Sequence, residues 1–180
     1  MKNFWEQDYP AFDMFNRRWA LVTAGTVEKF NGCTLSWGSL GNIWGADGKP
    51  MRVVTVYVHP ARYTSEFLLK NPYFTVSFFP ESCRKALGYM GAHSGREGDK
   101  AAAAGLTPVP FEQGITYREA ELTFLCKKLY QHQFAKEDLA QEVQAFYAAS
   151  PKVYPDFNGG WQPHLVFMGQ VISVQQKENA

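Results

Sequence analysis

Long apolar runs are absent from this chain: no stretch approaches the roughly 18 residues that a membrane-spanning helix needs, so no membrane segment is expected. The first ten residues, MKNFWEQDYP, carry charges and a proline where a secretory leader needs an apolar run, which points to a cytoplasmic protein. An excess of one charge is missing too. Eighteen basic residues against seventeen acidic ones leave +1, so there is no general field to collect nucleic acid. Any anion must be held locally. Cysteine is scarce, and Cys33, Cys83 and Cys126 lie far apart without a CxxC pair, which excludes a disulfide framework and an iron–sulfur or zinc centre. The four histidines lack HxH or HExxH spacing, so no metal site is expected. No GxGxxG follows a strand and no GxxxxGK[ST] occurs, which removes the Rossmann and P-loop nucleotide sites.

What is present is a chain of 180 residues, 46% hydrophobic and 16% aromatic, enough to build one core and one domain over residues 1–180. Short apolar or alternating runs predict strands at Trp19 to Gly25, Cys33 to Trp37, Arg52 to Val58, Tyr73 to Phe79, from Glu119 towards Tyr130, and from His164 to Val174. The Glu119 run alternates and is expected to be half-buried. Helices are expected from Ser65 to Lys70 with Thr64 as cap, from about Pro80 to Gly91, briefly after Asp99, and from Lys136 to Ala149 with Leu139, Val143 and Phe146 inward. Pro108 and Pro110 mark a loop. Strands without βαβ alternation predict a mainly β fold with short inserted helices, closed or nearly closed as an antiparallel barrel.

Three segments could serve one planar, anionic ligand. Residues 31–37, NGCTLSW, offer Asn31, the hydroxyls of Thr34 and Ser36, and the indole face of Trp37. Residues 59–64, HPARYT, place Arg62 at a helix start, where free N–H groups and a guanidinium suit a phosphate. Residues 94–100, SGREGDK, combine Gly95 and Gly98, which admit close backbone approach, with Arg96 and Lys100. Taken singly, each also reads as an ordinary turn, a capped loop or a solvated charged loop.

In sequence order, WALVTAG, NxCTxSWGSLG with Trp44, HPxRYT, FTVSFFP and SGRxGDK resemble the flavin reductase-like FMN-binding family, in its flavoredoxin-like branch, over roughly residues 15 to 130. That resemblance implies a split β-barrel, a homodimer, and FMN held non-covalently near the subunit interface. It implies that Asn31, Thr34, Ser36 and Trp37 lie along the ring and ribityl chain, that Arg62, Tyr63 and Thr64 meet the phosphate, and that Ser94, Gly95, Arg96 and Lys100 close the site. Lys100 is the candidate for the charge facing the reduced ring, and His164 and Phe167 are candidates bordering the flavin from the last strand. Cys33 stands where the family often has Met and is given no catalytic role; no side chain is assigned one. The implied activity is an FMN oxidoreductase passing electrons from NAD(P)H to an acceptor. The alternative is a flavoredoxin-like carrier reduced by a protein partner, and a haem-binding barrel is disfavoured because no histidine has ligating spacing.

Overall fold

A computed structural model describes residues 7–46 and 48–177, so most of the N-terminal decapeptide discussed above lies outside the described residues. Among the described residues nine strands form, β1 Ala20–Gly25, β2 Phe30–Leu35, β3 Gly38–Ala46, β4 Lys49–Val58, β5 Tyr73–Phe78, β6 Pro108–Phe111, β7 Gly114–Tyr117, β8 Leu122–Gln133 and β9 Leu165–Gln176, with a short first helix α1 at Ala11–Asp13. Seven of them make one antiparallel sheet in the order β2-β1-β5-β8-β9-β4-β3, and β6 pairs with β7 apart from it. The edge strands β2 and β3 are joined by Ser36 and Trp37 alone, so the sheet curls until its two edges meet at that corner. No ladder joins them among the described residues, which makes this a split barrel. Register shifts at Leu125/Cys126 and Lys128/Tyr130 bend the long β8–β9 pair and raise its twist.

Alternation divides β1 between two apolar clusters. Ala20, Val22 and Ala24 of β1 point into the barrel with Val54, Val56, Phe74, Val76, Phe78, Phe124 and Phe167. Leu21 points the other way, onto Phe79, Leu87, Met90, Ala101, Leu106 and Tyr117. This second cluster fastens the helices α3 (Arg84–Ala92) and α4 (Lys100–Ala103) to the outside of the sheet. Asp99 caps α4 as expected, its Oδ1 accepting from the N–H groups of Ala101 and Ala102, both at 3.1 Å.

Three expectations change. The loop read at Pro108 and Pro110 is the β6–β7 hairpin, because prolines at alternate positions leave the intervening N–H groups free for the ladder. That hairpin covers the outer face of β5 and β8, so Thr123, read as the solvent side of a half-buried strand, is 1% exposed. Its hydroxyl bonds Thr116 (2.6 Å) and Ser77 (3.0 Å) instead. The helix expected from Lys136 begins only at Gln141, as α5 (Gln141–Ala148), since Leu139 and Ala140 are extended, and it buries Tyr147 while Val143 and Phe146 stay exposed.

Candidate functional site

The site is assembled where β2 leaves the barrel. After β4, the chain turns through residues 59–62 into α2 (Tyr63–Lys70), whose N-cap is Arg62 in extended conformation. Thr64, expected as the cap, makes no capping bond. It is wholly buried and accepts from Asn31 Nδ2 (2.8 Å), tying β2 to α2. The 94–98 loop crosses directly above this tie: a Cβ on Gly95 would meet Asn31 Oδ1 at 2.2 Å, so glycine is required there.

Two cations converge on the end of α3. Arg62 Nη1 donates to Gly91 O (2.7 Å), and Lys100 Nζ donates to Met90 O (3.0 Å) and His93 O (3.1 Å). Both therefore cap helix carbonyls. Lys100 is 7% exposed, and no ion pair joins either cation to a carboxylate among the described residues. Burial pushes the Lys100 amine below the usual lysine range, against the smaller opposing influence of Cys33. Burial likewise raises the Cys33 thiol, which keeps it protonated at neutral pH. A buried ammonium held only by neutral carbonyls is costly, and an anion entering beside it would relieve that cost.

Around this point the surface is hollow. One cavity is lined by Arg62, Tyr63, Thr64, Ser94 and Lys100. It adjoins a second, bordered by Asn31, Tyr63, Gly95 and Lys100, and an open slot bordered by Thr34, Leu35, Ser36, Gly88 and Gly91. Beyond Arg62 lies a cavity of about 160 Å³ walled by Ser36, Trp37, Tyr57, His59, Tyr154 and His164. Arg62 borders three of the four, and Tyr63 and Lys100 line the remaining one together with the first, so the four lie side by side along one groove.

The groove thus gathers Asn31, Thr34, Ser36, Trp37, Arg62, Tyr63, Thr64, Ser94, Gly95, Lys100 and His164. Two candidates lie elsewhere. Arg96 sits outside, paired with Glu66 and placed 4.4 Å over the Tyr63 ring, and Phe167 is 0% exposed inside the barrel. Lys100 lies with the Arg62–Ser94 group, away from the cavity at Trp37. The Thr34 hydroxyl donates to Leu87 O (2.6 Å), so only its lone pairs remain available to a ligand.

Sequence reasoning missed the aromatic roof. The segment between β8 and β9 folds back so that Phe146, Tyr154 and His164 pack on Trp37, with Trp37 and His164 centroids 4.3 Å apart. Tyr147 falls one position off the Leu139–Val143–Phe146 stripe, so helical periodicity pointed past it. Gly88 was also missed. It is an interior helix glycine whose added Cβ would meet nothing within 4 Å, a sign that no packing demand explains its small size.

Both cavity histidines are neutral. His59 accepts at Nδ1 from the Ala61 N–H (3.3 Å) and donates from Nε2 to Gln162 O (3.1 Å). His164 is pushed down to about 3, first by burial and then by His59 and Arg62. Because the unfolded histidine titrates near 6.5, the unfolded chain gains a proton below that pH which the folded chain refuses. Stability is therefore expected to be complete above about pH 6.5 and to fall towards pH 3, by of order 2 kcal/mol from this group at pH 4.5. Urea midpoints at pH 7 and 4.5, compared between the wild type and His164→Gln, check it: the same pH dependence in both would remove His164 as its source.

A flavin reductase like domain model matches residues 12–180. Among curated proteins no relative matches the chain. Solved structures similar to it include a flavoredoxin from Methanosarcina acetivorans, 21% identical over 89% of this chain and 69% of that one, with a TM-score of 0.64. An FMN-binding protein from Thermus thermophilus is 23% identical over 99% and 78%, with a TM-score of 0.65. An NADH:FAD oxidoreductase from Streptomyces globisporus is 17% identical over 88% and 74%, with a TM-score of 0.60. At these identities the structures speak for the split barrel, and the domain match spans nearly the whole chain, the groove included. The chain belongs to the flavin reductase-like family.

Proposed function

We propose that the groove binds FMN and that the protein is an oxidoreductase passing electrons from NAD(P)H through the flavin to an acceptor. One observation carries the reading: a buried Lys100 and the Arg62 guanidinium, neither in an ion pair among the described residues, meet the first turn of α2 at one end of a groove that continues as an open slot beside α3. A phosphate fits the cationic end, where Arg62, the Tyr63 and Thr64 backbone and Ser94 would hold it beside Lys100. A flat ring would lie along the open slot that Leu35, Ser36, Gly88 and Gly91 border, over the line where Thr34 meets α3. Bound FMN would supply hydride acceptance from a nicotinamide and electron delivery onwards. The protein's part is to grip the phosphate, orient the ring and exclude water under the aromatic roof.

Neighbours of this fold carry both FMN and FAD in their names, and the short cationic cavity favours the single phosphate of FMN. The visible spectrum of the purified protein, with the released cofactor identified by mass, tests this. A colourless protein that takes up neither FMN nor FAD at micromolar levels would end the reading. Stopped-flow mixing of the flavin-loaded protein with NADH and with NADPH tests the electron source. Rapid bleaching supports the enzyme, whereas none, together with reduction by a redox protein, identifies an electron carrier. Trp37, Val143, Phe146 and Val153 leave apolar surface exposed beside the groove, which supports the homodimer as the working unit, and sedimentation of the loaded protein checks it.

Gly88→Ala separates a ligand slot from an unexplained glycine. The substitution is expected to stabilise the flavin-free protein by about 0.5–1 kcal/mol, because alanine is the better helix former and nothing occupies the space. It is expected to weaken FMN by roughly 5- to 100-fold, because the methyl group intrudes on the ring's place. Paired thermal melts and flavin titrations read both; greater stability with undiminished affinity would show that the ring lies elsewhere.

A further inference from the structure

Tyr147 reaches His164 from α5, and the two share a pair of bonds. Its hydroxyl lies 2.5 Å from His164 Nδ1, while the His164 backbone N–H donates to the same oxygen at 3.3 Å. The phenol is 3% exposed and stacks on Trp161, with centroids 5.5 Å apart and planes 7° from parallel, so it has little freedom to turn. The oxygen already accepts the backbone N–H. Were Nδ1 protonated, the phenolic proton would be left buried with no acceptor among the described residues, a costly arrangement. The proton between them therefore belongs to Tyr147, and a neutral His164 must carry its own proton on Nε2. That nitrogen bonds no described residue, yet it is not sealed off, and His164 is part of the wall of the cavity at Trp37.

We propose that Tyr147 is a positioning residue that fixes His164 as the Nε2–H tautomer, so that the cavity offers one uncharged donor aimed at the acceptor oxygen of a flat, carbonyl- or carboxamide-bearing reactant. The flat walls are already there in Trp37, Tyr57 and Tyr154. The groups facing His164 agree: Tyr147 from α5, Tyr154 from the following loop, and His59 and Arg62 from the β4–α2 turn, none of them a carboxylate that would favour an imidazolium. His59 cannot share the task, because both its nitrogens are engaged. The reactant's identity rests on the flavin reading of the adjoining groove; the tautomer does not.

The test is side-chain ¹⁵N NMR of His164 in the full, FMN-loaded chain, with free nicotinamide titrated as the flat carboxamide probe. The wild type is expected to show protonated Nε2 and bare Nδ1 from about pH 5 to 9, with a shift of Nε2 on adding nicotinamide. In Tyr147→Phe the two tautomers should mix, the ring should titrate nearer the ordinary histidine range, and nicotinamide should bind roughly tenfold more weakly. A wild type carrying its proton on Nδ1, or charged at pH 7, overturns the proposal whether or not the variant folds. So does a folded Tyr147→Phe protein with unchanged tautomer and nicotinamide affinity. Failure of the flavin reading would show separately, as a wild type that takes up no FMN, and the same spectra recorded on the flavin-free protein would still decide the tautomer.

Discussion

Arg62→Ala is expected to weaken FMN binding by about 10- to 100-fold while riboflavin, which lacks the phosphate, loses little. The guanidinium stands at the junction of three cavities and also donates to Gly91 O, so it can hold the end of α3 and an incoming anion together. Charge-assisted bonds from a guanidinium to a phosphate are worth more than neutral contacts of the kind the slot offers. Lysine at this position should restore part of the affinity, because it brings the charge without the planar fork. Fluorescence titrations with both flavins measure the difference. Equal losses for FMN and riboflavin would mean that Arg62 supports the groove without touching a phosphate.

Phe167→Ala is expected to cost about 3–5 kcal/mol of stability and to lower the melting temperature by about 10 °C. The side chain is fully buried in the barrel, on a strand paired with β4 through Val56 and with β8 through Gln131. Removing the ring leaves a cavity that antiparallel ladders on both sides cannot close. Flavin affinity of the folded protein should be largely retained. A large loss of affinity at unchanged stability would instead return Phe167 to the flavin's border, where the sequence resemblance had it.

These two residues mark where the sequence was legible and where it was not. The place of Arg62 at the start of α2 was legible because the neighbouring Pro, Tyr and Thr set it locally. On the strand expected from His164 to Val174, Phe167 falls three positions after His164 and so on the opposite face, and the sequence does not say which face meets a ligand; in the structure His164 precedes β9 and Phe167 points into the barrel. The β-branched runs of β4 and β5 were equally plain. The glycine-rich β3 was not, because Gly-Ser-Leu-Gly-Asn carries little strand propensity and is held by pairing with β4. Thr64 showed the same limit: its hydroxyl had a local use as a cap and a distant one with Asn31, thirty-three positions away, and the distant one prevailed.

The roof over the groove has a topological property of its own. Gln133 at the end of β8 faces Leu165 at the start of β9, so the chain departs from the sheet and returns to it at adjacent rungs. Everything between them, α5, Tyr147, Tyr154 and Trp161 included, is in effect one very long hairpin loop. Its length and composition can drift without shifting a single rung of the barrel. If the proposed function holds, gripping the cofactor and admitting the second reactant are thereby entrusted to parts of the chain that can change at different rates.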